Sequence, residues 1–102
     1  MGFTLSRAAD NDIAAIAEYT VREFGVEKAV AYRDGLTHTL EFLSEYPQAA
    51  RERPELRQRS RVFRYKAHLI FYRIDDADIF IQRIRHSRED WLSESGDPTA
   101  DA

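Results

Sequence analysis

The chain's densest chemistry lies near the end of one apolar stretch, where Arg83, Arg85, His86 and Arg88 crowd together. A neutral histidine among arginines can take a proton from a ribose hydroxyl while the guanidinium groups hold the developing phosphorane. With Arg61 from the same basic stretch, the candidate set for RNA cleavage is Arg61, Arg83, Arg85 and His86. A structural reading has equal weight: His86 fastens a strand end to a following helix. His68, at the start of a nearly all-apolar strand, is expected to make a structural hydrogen bond. His38 sits mid-helix beside an apolar stripe and reads as a surface or packing residue. Three scattered histidines without His-x-x-x-His spacing make no metal constellation, and no cofactor is expected. With no cysteine there is neither a disulfide nor a thiol nucleophile. The four glycines form no phosphate loop, and no G-x-S-x-G is present.

These residues sit in an unevenly charged chain of 102 residues, long enough for one domain with a modest core. Residues 1–50 carry four cations against eight carboxylates, residues 51–88 eleven against five, and residues 89–102 none against five. A basic middle of this kind attracts an acidic partner, nucleic acid or protein, or is simply a solvated sheet face. No apolar run reaches the roughly 18 residues of a membrane span, and MGFTLSRAAD lacks the pattern of a signal peptide. The expectation is a cytoplasmic protein with no membrane partner.

The elements that must position the basic cluster follow from periodicity. Phe3-Thr4-Leu5 reads as a short strand, and Ser6 offers an N-cap to a helix over about 7–24. Asp10 and Asp12 suit that helix's positive end. Ala9, Ile13, Ile16, Ala17, Thr20 and Phe24 define its buried face. Gly25 ends it in the left-handed conformation. A second helix from Val26 carries Ala29, Arg33, Leu36, Leu40 and Leu43, widened by Tyr32, Thr39 and Tyr46, and Pro47 stops it. Gly35 inside it implies a close neighbour, expected to be the first helix. The short turn makes the two helices an antiparallel hairpin. Residues 47–59 read as a loop without period. Three strands follow: 61–66, then 68–74, then 79–85, with Asp75-Asp76-Ala77-Asp78 supplying the turn between the last two. Residues 87–92 are compatible with a short final helix that docks Trp91 and Leu92. Residues 93–102 are small, acidic and expected to be disordered. The fold class is α+β: a helical hairpin on a mostly antiparallel sheet, as one domain over 1–92 with a tail at 93–102.

The ordered set of segments resembles the ParE-type toxins of bacterial toxin–antitoxin modules, within the ParE/RelE superfamily. LSRAADNDIAAIAEYTVREFG is similar to their first helix, and AVAYRDGLTHTLEFLSEYPQAARERPELR to their second helix and Pro-containing loop. RVFRYKAHLIFYRI and IFIQRIRHSRED resemble their Arg-x-Phe, His-x-Ile-Phe-Tyr-Arg and Ile-x-Arg-x-x-His segments. The resemblance covers about residues 3–91.

It implies a toxin that poisons DNA gyrase and blocks replication, acting by binding rather than as an enzyme. Its partner would be a ParD-like antitoxin, whose disordered tail folds over the toxin. Direct sequence-specific DNA binding is not implied. Antitoxin contacts are expected in the grooves of the hairpin and at Arg61, Arg64, Tyr72 and Arg83. Target contacts are expected at Arg85, His86, Arg88 and Trp91. The alternative within the superfamily is a RelE-type, ribosome-dependent mRNA endonuclease using Arg61, Arg83, Arg85 and His86. This chain has only Lys28 and Lys66 as lysines and lacks the lysine-rich surface of many such nucleases. A third possibility is an inactive relative that only binds its antitoxin.

Overall fold

The computed structural model describes residues 2–88. Strand β1 (Phe3–Leu5) leads into helix α1 (Arg7–Phe24) and helix α2 (Val26–Glu45). Two single 3-10 turns, Pro47–Ala49 and Arg57–Arg59, precede strands β2 (Arg61–Tyr65), β3 (His68–Asp75) and β4 (Asp78–His86). The final helix expected at 87–92 and the acidic tail lie outside the described residues.

The sheet order is β1-β4-β3-β2. Strands β2, β3 and β4 form an antiparallel meander, while β1 joins β4 in parallel, with Phe3 opposite Ile79 and Leu5 opposite Ile81. The first and last strands of the chain are therefore neighbours, and α1 starts where β1 leaves the sheet. Ser6 makes that exit: its Oγ accepts the Ala9 N–H at 2.9 Å and donates to the Gln82 carbonyl at 2.7 Å. Its own N–H donates to the Ile81 carbonyl at 2.9 Å. One side chain thus caps the helix and ties it to β4.

Helix α1 stops at Gly25, whose φ of 93° is open to glycine and strained for other residues. The Gly25 N–H closes α1 on the Val21 carbonyl, and its carbonyl accepts the Ala29 N–H of α2. The hairpin therefore turns in one residue. The core lies between the hairpin and one sheet face, formed by Ala9, Leu36, Leu40, Leu43, Ile70, Tyr72, Ile79, Ile81 and Ile84. Burying side chains of this size contributes roughly 1.5–3 kcal/mol each.

Gly35 has a different neighbour from the one its helix suggests. A Cβ there would overlap the hydroxyl of Tyr65 on β2, not α1. The glycine lets Tyr65 pass over α2 and donate to the Tyr32 carbonyl at 3.2 Å. Phe24 and Tyr46, expected on buried faces, are 60% and 57% exposed. Both stand at helix ends, where the stripe has run past the sheet it covers.

The segment between α2 and β2 is more ordered than its lack of period implies. Leu56 is buried at 6% exposure, and Glu52 bridges to Arg61. Gln58 and Arg59 both take positive φ, 59° and 57°. The fully buried Ser60 and Gln82 hold this turn down. Ser60 Oγ donates to Gln82 Oε1 at 2.7 Å, and Gln58 Oε1 accepts from Arg73 at 2.8 Å. These bonds offset the local backbone cost, of order 1 kcal/mol or more for each strained residue.

Candidate functional site

A groove of about 680 Å³ lies beside the helical hairpin. Helix α1 gives it Ile16, Tyr19 and Phe24, α2 gives Lys28 and Tyr32, and the strand ends give Lys66, His68 and His86. Tyr19 and Phe24 on its α1 wall are 52% and 60% exposed. Their rings meet edge to face at 6.4 Å, a stable aromatic arrangement.

The groove's inner end is polar. The Tyr32 hydroxyl is hydrogen-bonded to His68 Nδ1, the structural bond expected of His68. The imidazoles of His68 and His86 lie on paired positions of β3 and β4, with ring centres 5.3 Å apart. His86 Nδ1 accepts the Arg88 N–H at 3.1 Å, which folds the chain back over the strand end. Burial pushes the Tyr32 hydroxyl above the usual tyrosine range, with the neighbouring Tyr65 adding to it. It is therefore a neutral hydrogen-bonding group near pH 7. Lys66, at the β2–β3 turn with φ 51°, holds its ammonium 5.7 Å from the Tyr32 ring centre and 5.6 Å from that of Tyr65.

Of the residues expected to act in RNA cleavage, Arg83, Arg85 and His86 share the end of β4, and Arg61 lies apart from them. Arg61 faces Tyr72 on β3, whereas Tyr65, four residues on, faces His68 and so lies near His86. That is about 13 Å along the strand, plus roughly 10 Å for the two strand spacings to β4. Arg61 turns away from β4: one guanidinium nitrogen donates to the Ala50 carbonyl and another pairs with Glu52 at 3.5 Å. Arg83 makes a two-pronged pair with Asp12 of α1, Nε at 2.8 Å and an Nη at 3.0 Å. Asp12 also accepts the Ile84 N–H at 2.9 Å. It satisfies the β4 edge beyond the end of β1, a role its place near the helix start did not reveal.

Of the expected antitoxin contacts, Tyr72 requires correction. It is fully buried and its hydroxyl donates to the Pro47 carbonyl at 2.8 Å, so it is a core residue unavailable to a docking partner. Arg61 and Arg83 are committed to internal partners. Arg64 is exposed, with Nε donating to the Lys66 carbonyl at 2.8 Å. Among expected target contacts, Arg85 and His86 are half-buried at the end of β4, Arg88 is exposed, and Trp91 lies outside the described residues. Sequence reasoning missed Tyr19, Lys28 and Lys66 as groove residues. Their signal was available only after Phe24 and Gly25 had fixed where the hairpin turns.

A family model described as the ParE toxin of the type II toxin–antitoxin system, parDE, matches residues 3–91. The chain belongs to the ParE toxin family. Toxin ParE1 of Caulobacter vibrioides is 33% identical over 72 residues, 71% of this chain and 75% of that relative. Toxin ParE1 of Mycobacterium tuberculosis is 29% identical over 86% of this chain and 91% of its own length. A solved structure of the chromosomal ParDE TA system from P. aeruginosa shares the fold, with a TM-score of 0.72 at 23% identity. That match covers 84% of this chain and 95% of the other. The fold expected of a ParE toxin, a short strand, a helical hairpin and a mostly antiparallel sheet, is the one observed. No helix among the described residues is long and apolar enough to cross a membrane.

Proposed function

We propose that this ParE-family chain is a toxin that inhibits DNA gyrase by binding it, and that a ParD-like antitoxin neutralises it by seating a segment in the hairpin groove. The observation that carries the reading is that Arg61 stands apart from His86 and that Arg83 is held by Asp12. Arg61 pairs with Glu52 instead. With two of the three candidate arginines engaged elsewhere, the phosphate clamp that a nuclease needs is weakened. A groove rimmed by exposed aromatics suits a protein ligand, since such patches on small domains usually mark interaction sites. Target contacts are then assigned to the end of β4, at Arg85, His86 and Arg88; His86 also lines the groove, so a seated antitoxin covers part of this surface.

The test is a supercoiling assay with purified gyrase and the full chain. Expected is a dose-dependent loss of supercoiling, or accumulation of cleaved DNA. Unaffected supercoiling at excess toxin, together with codon-positioned mRNA cuts in a translation extract that vanish in His86→Ala, would replace this reading with the endonuclease. Normal growth on expression without antitoxin would indicate an inactive relative.

A further inference from the structure

Side chains alternate between the two faces of a sheet, and paired residues share one face. Ile70 and Tyr72 belong to the hairpin-side core, so Leu69, Phe71 and Arg73 of β3 lie on the face turned away from the helices. Their partners extend it: Arg64 and Arg85 flank Leu69, Val62 and Arg83 flank Phe71, and Phe80 lies beside Arg73. The result is an apolar strip between guanidinium groups, with that of Arg73 4.3 Å from the centre of the Phe80 ring. Neither Arg61 to Ile74 nor Ile79 to Arg88 contains a carboxylate. Phe71 is fully buried although it stands outside the hairpin-side core, while Val62, Leu69 and Phe80 are half-buried. The face is thus basic around an apolar centre.

We propose that the acidic segment 89–102 is the ligand of this face in its own chain, with Trp91 on the Leu69–Phe71 strip and its carboxylates on Arg64, Arg73 and Arg85. The segment carries five carboxylates and no Lys or Arg. Its opening, Glu89-Asp90-Trp91-Leu92, sets two acids directly beside two large apolar side chains, the chemistry that a strip between guanidinium groups receives. Tryptophan is also the aromatic that cations hold best. Strand β4 delivers the segment to the right corner of the sheet. The Ser87 N–H donates to the Ala67 carbonyl at 2.8 Å and the Arg88 N–H to His86 Nδ1 at 3.1 Å, so the chain turns where the strand ends. Phe71 lies three positions in from His68, about 10 Å along the strand, and Trp91, three residues past Arg88, spans about that distance when extended. The hairpin groove offers such a segment two lysines, fewer cations than the sheet face. Seated, the segment neutralises the arginines and screens them from any other polyanion, and Arg85 meets a target only once the segment has moved aside. The seating stands on the sheet's own geometry and not on the gyrase reading.

Trp91 is the chain's only tryptophan, so its fluorescence reports the seating in the full chain. Expected is an emission maximum to the blue of the urea-unfolded chain and weaker quenching by acrylamide. Both should move towards the unfolded values in R64Q/R73Q/R85Q and in the neutral-tail variant E89Q/D90N/E94Q/D97N/D101N, and should not move in Phe24→Asp. The neutral-tail variant should also bind inorganic polyphosphate about tenfold more tightly than the parent chain, because its arginines are no longer screened. Matched thermal melts should show that every variant is folded. A Trp91 as open to acrylamide in the parent chain as in urea would overturn the seating. Protection that survives both charge variants would overturn the arginine contacts, and protection lost on Phe24→Asp would place the segment in the groove instead. Polyphosphate binding that ignores the neutral tail would overturn the screening.

Discussion

Asp12→Ala isolates the contact that fastens α1 to the edge of β4. Asp12 accepts three hydrogen bonds, two from the Arg83 guanidinium and one from the Ile84 N–H, and both charged side chains are largely buried, at 17% and 16% exposure. Truncation leaves a guanidinium and a backbone donor without that acceptor in a partly dry site. A hydrogen bond to a charged group is worth about 1.5–3 kcal/mol, and breaking a fully buried ion pair costs about 3–5 kcal/mol. With water able to reach the edge, the expected loss is about 2–3 kcal/mol. For a domain of this size that lowers the melting temperature by roughly 10–20 °C. Urea and thermal unfolding followed by circular dichroism would measure it. Asp12→Asn keeps an acceptor for Ile84 but loses the charge, so it should fall between Ala and the parent chain. The double variant Asp12→Ala/Arg83→Met should be more stable than the sum of the single losses, since the two side chains form one paired unit. A loss under about 0.5 kcal/mol for Asp12→Ala, or strict additivity in the cycle, would show that the pair is not a fastening point.

Three further outcomes follow from the packing. Gly35→Ala, which adds helix propensity of about 1 kcal/mol, should instead destabilise by about 1–2 kcal/mol because its methyl meets the Tyr65 hydroxyl; a Gly35→Ala/Tyr65→Phe chain should recover most of that in urea unfolding. Gln82→Leu should cost about 1–3 kcal/mol by leaving Ser60 and Gln58 without their buried partner, and should raise proteolytic cleavage at 57–60. Burial raises the hydroxyl pKa of both Tyr32 and Tyr72 above 10.0. The folded state therefore holds its protons more tightly than the unfolded one: stability is fully present below pH 10 and is lost as pH climbs past it towards the folded values. Unfolding free energies measured between about pH 9 and 12 should fall, and Tyr72→Phe should flatten the fall; a flat profile in the parent chain would contradict the burial.

The elements were legible because their signals are local. Leu36, Leu40 and Leu43 step at the helical period and are buried. Asp75 to Asp78 turn as aspartates do, and Gly25 stands where a left-handed residue was needed. What stayed hidden was identity of neighbour. Periodicity shows that Gly35 meets something, but only the placement of β2 across α2 makes that Tyr65. Asp12 had a sufficient local explanation at the helix start, which concealed its long-range one. Tyr72, expected at the antitoxin contact, lies in a nearly all-apolar strand, and the core took it. The loop from 47 to 59 lacks period because its order comes from side-chain hydrogen bonds to β3 and β4, which leave no repeating trace.

The sorting of cations in this chain has a physical basis that bears on the site. Arginine presents a planar, rigid fork whose donors match a carboxylate or a set of carbonyls in one geometry, so it suits partners fixed by the fold. Arg83 on Asp12 and Arg61 on Ala50 and Glu52 are such pairings. Lysine is a compact charge on a flexible stem and imposes little geometry, so it suits a partner that arrives, adjusts and leaves. The basic density of residues 51–88 therefore points away from the site more than towards it, because several of its arginines are internal fasteners. The weaker signal is that two lysines far apart in sequence line one groove. On this reasoning Lys66→Arg should not be neutral: a guanidinium stacked on Tyr32 and Tyr65 should slow release of an acidic peptide more than it speeds capture, visible as a longer residence time in surface-immobilised binding. An unchanged dissociation rate would mean that charge alone, and not the lysine's mobility, sets the exchange.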